Sequence, residues 1–167
     1  AKRLAALFGY SLADLGDFSP TTPEHLPAEC RSLLAHTGHM TVTLEAFHGT
    51  LVDVRVLKER LDEASYAREI LLTRQSDGAS VQDGLVRIGL ADLPAEVRED
   101  IRAKQTPLGR VLIRHGLLRD VEVLSLWRIA PGEMLTGHFG SGDVFGRSAQ
   151  ILVDQRPTVQ LLEVVRV

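Results

Sequence analysis

Polar and apolar positions alternate along most of this chain, and a few stretches of helical spacing sit between the alternating runs. In Val159-Gln160-Leu161-Leu162-Glu163-Val164-Val165-Arg166-Val167 the odd positions read Val, Leu, Glu, Val, Val, a strand face interrupted by one carboxylate. Tyr66 to Thr73 and Gln82 to Leu90 are predicted strands joined across Gln75-Ser76-Asp77-Gly78. Arg119 to Ile129, Gly146 to Asp154 and Thr158 to Val167 are predicted as the last strands, the final pair closed by Asp154-Gln155-Arg156-Pro157. Met40 to His48 also alternates, and with Leu51 to Leu61 beyond Gly49 it predicts a hairpin. Helices are predicted from Pro27 to His36, from Leu93 to Ile101, and from Pro107 toward His115-Gly116. Residues 1–25 read as a loose or partly helical N-terminal arm ending in a proline turn. Hairpin-linked strands with helices grouped between them predict an α+β fold on an antiparallel sheet.

Composition narrows the class. With 167 residues, 44% hydrophobic and 25% charged, the chain is predicted to form one domain, 1–167, around a real core. A net charge of −3 with scattered basic residues predicts no nucleic-acid partner. The one cysteine, Cys30, cannot form an intramolecular disulfide, no apolar run is long enough for a membrane span, and the first residues lack a signal-peptide pattern, which together predict a cytoplasmic protein. The oligomeric expectation is a monomer or weak dimer.

Two charges stand out because they occupy apolar strand phases. Glu163 is the one ionisable group on its face, and alternation places Arg68 with Tyr66, Ile70 and Leu72. A charge there without a partner is expensive, so either Arg68 and Glu163 satisfy each other across the sheet or both face a ligand.

Arg68-Glu69-Ile70-Leu71-Leu72, Thr106-Pro107-Leu108-Gly109-Arg110, Gly146-Arg147-Ser148 and Leu161-Leu162-Glu163 occur in an order and spacing that resembles the chorismate lyase (4-hydroxybenzoate synthase) family, from about residue 30 to the C-terminus. The resemblance implies a single antiparallel sheet with helices covering one face and lid loops that bury a ligand. It also implies a cofactor-free enzyme that splits chorismate into 4-hydroxybenzoate and pyruvate. By position, Arg68 would bind the ring carboxylate, Glu163 would act at the far end of the site as proton donor or hydrogen-bond partner, and Leu108 with Gly109 would form a lid against the ring. A guanidinium suits a carboxylate because its planar fork binds both oxygens. The family's Gly-Arg is absent: Gly84 is followed by Leu85, so Arg87 or Arg147 would have to hold the second carboxylate, with Trp127 helping to line an apolar pocket. The alternative from the same resemblance is a non-catalytic domain that binds an aromatic carboxylate, like the effector domains of some bacterial regulators. The lack of a basic recognition helix before the first predicted strand argues against a regulator.

Other features have plainer readings. His36, His39 and His48 lack clustered acids or cysteines, so no metal is predicted. The glycines at 137, 140, 142 and 146 around His138 fit no phosphate-loop spacing and predict a flexible hairpin loop. Cys30 is expected to be a small core residue, and His115 a helix-end residue.

Overall fold

The computed structural model describes residues 1–62, 64–117 and 120–166; the predicted strand ends at Arg119 and Val167 lie outside them. Seven strands form one antiparallel sheet: β1 (Gly16–Thr21), β2 (Val52–Leu61), β3 (Ser65–Arg74), β4 (Ser80–Gly89), β5 (Asp120–Pro131), β6 (Val144–Val153) and β7 (Arg156–Val165). Their order is β1-β5-β6-β7-β4-β3-β2, so the β7–β4 pair joins a four-stranded half to a three-stranded one. The β6–β7 hairpin turns on Asp154 and Gln155, both at positive φ (49° and 63°), as a two-residue loop with matching strand twist requires.

Helices lie on both faces. On one face α3 (Ala28–Leu34) and α4 (Met40–His48) cover Ile70, Leu72, Leu126 and Val165, while α5 (Ala95–Ala103) and α6 (Leu108–Arg114) cover Val86, Ile88, Val121, Ile151 and Leu161. On the reverse face α1 (Lys2–Leu7), α2 (Leu12–Leu15) and α7 (Glu133–Phe139) cover Ala67, Leu85, Ile129, Leu162 and Val164. The expectation of helices on one face is thereby corrected, because both faces of the central strands are apolar and each needs a cover.

Two local expectations are overturned. Met40–His48 is helix α4, not a strand: it buries Met40, Thr41 and Leu44, a spacing of one helical turn, and Gly49 at φ 64° caps its end in the left-handed conformation. Strand β2 therefore pairs with β3 instead of closing a hairpin with 40–48. The segment 133–139, expected as loop, is α7, whose Leu135 and Phe139 reach the core. The N-terminal arm is partly helical, with α1 and an α2 that Ser11 and Asp14 cap reciprocally, and it adds the unexpected strand β1, which pairs with β5 through six residues.

The reverse face also buries acids. Asp83 bonds His138 of α7 (Oδ2 to Nδ1, 2.8 Å), and Glu69 accepts from the Tyr10 hydroxyl at 2.9 Å, with Lys58 against the same phenol. Burial pushes the Asp83 and Glu69 carboxyls up, partly opposed by these bonds, and the bond to Asp83 pushes the His138 imidazole up. All three shifts have one sign. A histidine with a raised folded value stabilises fully below the ordinary imidazole value of about 6.5 and loses that contribution as pH rises through the folded value; a raised acid favours the fold while protonated. The melting temperature should therefore fall between pH 6 and pH 8.5, by about 2–4 °C for each kcal/mol lost in a chain of this size. His138→Gln should flatten that slope in melts followed by circular dichroism, and an unchanged slope would show that the pair does not set it.

Candidate functional site

The site is built where two apolar clusters on the α3–α6 face meet. Between them runs a polar seam of Arg68 on β3, Gln82 on β4, Arg147 on β6 and Glu163 on β7, all side chains on one face. Register decides who meets whom. Glu163 lies opposite both Arg147 and Gly84, whereas Arg68 lies opposite Val86, which lies opposite Leu161. A bulge between Ile151 and Leu152 produces this alignment: the hairpin register at Val153 and Arg156, continued unbroken, would have set Arg147 against Leu162 on the other face.

Glu163 is accordingly paired with Arg147, not with Arg68. Arg147 Nε donates to Glu163 Oε2 at 2.6 Å, and a second guanidinium nitrogen donates to the His36 carbonyl at 2.8 Å. Both side chains are almost wholly buried. A buried pair with this geometry and an extra backbone acceptor is satisfied, and losing either member would strand a charge.

Arg68 is 0% exposed, and among the described residues none of its three guanidinium nitrogens has a hydrogen-bond partner. Burial pulls its basicity down, opposed only by the neighbouring Tyr66 phenol, whose proton goes to Glu59 at 3.1 Å. Glu59, the register partner of Arg68 across β2, is turned toward Lys104, 2.7 Å away. The acid nearest in the sheet is thus already engaged.

A cavity of about 50 Å³ opens onto this seam. Its floor is Ile70, Leu72, Gln82, Val86, Leu161, Arg147 and Glu163; its roof is Met40 and Thr41 of α4 with Pro107, Leu108 and Gly109 at the start of α6. Ile70 and Val86, the strand neighbour and register partner of Arg68, both face it. The roof is tight. A Cβ on Gly109 would come within 2.9 Å of the Thr41 hydroxyl, so glycine permits the close approach of α6 to α4, and Arg110 is ion-paired to Glu45 across the same junction. Since roughly 150 Å³ is needed to hold benzene, admitting a ring requires α4 and α6 to part.

The structure brings Leu108, Gly109, Arg147 and Glu163 together and sets Arg68 beside them. It does not bring Arg87 or Trp127. Arg87 pairs with Ala67 and Gln160 on the reverse face, because the register that places Arg68 opposite Val86 turns odd-numbered β4 residues away; Leu85 is turned away with it. Trp127 is on that face as well, donating to Ser148 at 2.9 Å and standing edge-on to Phe18. Sequence reasoning missed Gln82, which is 3% exposed, lines the cavity and leaves its amide oxygen without a partner. Its signal was available: a polar residue in the apolar phase of β4, like Arg68 in β3.

The histidines have other places. His36 faces a surface groove with Thr37 and Leu124, and burial followed by Arg147 lowers its basicity; His39 borders the cavity at the start of α4. His115 ends α6 and bonds Asp100 of α5 at 2.9 Å. Among the described residues no three histidines, cysteines or acids are grouped to hold a metal ion, and no helix is long and apolar enough to cross a membrane. Cys30 is buried and its thiol is pushed up to about 11.

No protein-family model matches the chain, and no curated protein sequence matches it. Three solved structures are similar in fold. PhnF from Mycobacterium smegmatis superposes with a TM-score of 0.60 at 16% identity over 78% of this chain and 64% of PhnF. The ligand-binding domain of a protein assigned to the GntR family of transcriptional regulators, from Bordetella bronchiseptica, gives 0.52 at 12% identity over 69% of this chain and 85% of that domain. YydK from Bacillus subtilis, a candidate transcriptional regulator, gives 0.54 at 9% identity over 69% of this chain and 57% of YydK. The chain therefore spans somewhat under two thirds of PhnF and YydK. The fold is that of regulator ligand-binding domains of this kind, an α+β antiparallel sheet.

Removing the unpaired charge and breaking the paired one should act oppositely on stability. Arg68→Met takes an unpaired charge out of an apolar setting and should raise stability by about 1–3 kcal/mol in urea melts. Glu163→Leu strands Arg147 and should lower it by about 3–5 kcal/mol. A loss of stability in Arg68→Met would mean that Arg68 has a structural partner after all.

Proposed function

We propose that this chain is a small-molecule-binding domain whose ligand is an organic carboxylate taken by Arg68. The observation that carries the reading is the Arg68 guanidinium, wholly buried with three unpartnered nitrogens beside an apolar cavity. Folding tolerates such a group when a ligand completes it, and a carboxylate matches its planar donor fork in a dry site where the bond is strong. Arg147 cannot take that part without abandoning Glu163 and the His36 carbonyl. The likeness to a domain described as ligand-binding in a GntR-family protein supports binding over catalysis.

Chorismate cleavage is the second reading, favoured by the Thr106–Arg110 run, since Leu108 and Gly109 roof the same cavity that Glu163 lines. The arrangement of charges weakens it. Chorismate carries two carboxylates, Arg87 is on the reverse face, and Glu163 is half of an ion pair rather than a free acid. Cleavage would need Arg147 to release Glu163, bind the pyruvyl carboxylate and leave Glu163 to protonate the departing group.

Calorimetric titration with benzoate and 4-hydroxybenzoate, beside a coupled assay for pyruvate from chorismate, separates the readings. Binding without turnover is expected, with affinity falling at least tenfold in Arg68→Met, the loss typical of one charge-assisted pair. Release of pyruvate and 4-hydroxybenzoate in equal amounts, lost in Glu163→Gln, would install the lyase instead.

A further inference from the structure

We infer that the ligand is a monoanion carrying a neutral hydrogen-bonding group, most simply a hydroxyl, and that Gln82 reads that group; this rests on Arg68 taking an organic anion as proposed above. Two observations carry it: the balance of charge along the seam and the unpartnered amide.

Among the described residues the ionised side chains on this part of the sheet face are Arg68, Arg147 and Glu163, with Glu59 beside Arg68 at the sheet edge already cancelled by Lys104 at 2.7 Å. Arg147 and Glu163 cancel at 2.6 Å, which leaves one positive charge, on Arg68. One negative charge neutralises it. A dianion would bring a second charge into a space walled by Ile70, Leu72, Val86, Leu108 and Leu161, where among the described residues no second arginine or lysine is unengaged. The charge balance thus disfavours phosphate and dicarboxylates and favours a monocarboxylate.

Gln82 supplies the other end. Its strand partners are Leu72 and Val165, both apolar, and neither satisfies its amide oxygen. Leu72 is four residues along β3 from Arg68, so the two polar groups are rooted roughly 13 Å apart on the sheet, less the reach of two long side chains. Between them the floor is Ile70 and Val86. An apolar ligand body fits that interval, with its anion at Arg68 and its second polar group at Gln82. A hydroxyl satisfies the amide in either orientation, because it donates to the oxygen or accepts from the nitrogen. A ligand lacking it would leave a buried acceptor unpaired, which makes Gln82 a residue of specificity more than of bulk affinity.

The test is a calorimetric panel of benzoate, 3-hydroxybenzoate, 4-hydroxybenzoate, terephthalate and inorganic phosphate against the wild-type protein, Gln82→Leu and Gln82→Met, the last keeping the side chain's linear shape. One of the hydroxybenzoates should bind about tenfold tighter than benzoate, and terephthalate and phosphate about tenfold weaker than benzoate. In the Gln82 variants the hydroxyl preference should vanish while benzoate affinity stays within about twofold, and without ligand both variants should melt no lower than wild type, since each removes an unsatisfied buried amide. A hydroxyl preference that survives in both variants, or terephthalate or phosphate binding as tightly as the monoacids, overturns this inference. If benzoate binding still depends on Arg68 in that case, the carboxylate-binding reading stands alone; if none of the five compounds binds, both fall.

Discussion

A guanidinium buried in an apolar sheet with nothing to bond is the constraint around which this molecule is arranged. Arg68 is held in place by the alternation of β3, which could not turn it to solvent without turning Tyr66, Ile70 and Leu72 out of the core. Its neighbours are already engaged: Glu59 with Lys104 and Tyr66, Glu163 with Arg147. Moving either acid to Arg68 would transfer the deficit to Lys104 or Arg147 rather than remove it. The unmet demand is therefore fixed in position, and it sits beside the cavity.

The same alternation makes the central strands serve two sides. Arg68 and Glu69 are adjacent on β3 and point to opposite faces, the first to the face that carries the cavity and the second toward Tyr10 of the N-terminal arm; Gln82 and Asp83 on β4 do likewise, the second toward His138 of α7. Each face has a polar cluster embedded in apolar surroundings, and the two are satisfied differently. The reverse-face acids have found phenol and imidazole partners, whereas the cavity side leaves Arg68 and the Gln82 amide oxygen without any among the described residues. Sheet stability as such does not demand unsatisfied groups, since among the described residues the other face avoids them; their confinement to the cavity side is what the proposed binding role rests on.

The strands were legible because alternation is a direct print of burial, and so was the presence of charges in the wrong phase. What alternation does not encode is register. Knowing that Arg87 is in phase with Leu85 says nothing about which face either occupies until β4 is set against β3, and the union of Arg147 with Glu163 depends on one bulged residue near Ile151. Met40–His48 was misread because Met40, Val42, Leu44 and Ala46 alternate and the run is rich in Thr and Val, while the burial that holds it as a helix comes from contacts with α3 and α6 that no local pattern contains. Helix α7 escaped notice because glycines at 137, 140 and 142 mask about two turns of helix anchored by Leu135 and Phe139.

The roof of the site follows from that misread helix. As a strand, 40–48 would have extended the sheet and left the seam open; as α4, it lies over the seam against α6, with Thr41 pressed on Gly109 and Glu45 paired to Arg110. The roof is then two short helices held to each other at one junction, above a space too small for a ring. Such a roof has to yield at the α4–α6 contact, because the floor is hydrogen-bonded sheet and cannot. On the proposed reading, ligand entry and the closing of water from Arg68 are in this way one event, and the strength of an anion's bond to Arg68 would depend on how completely α4 and α6 return.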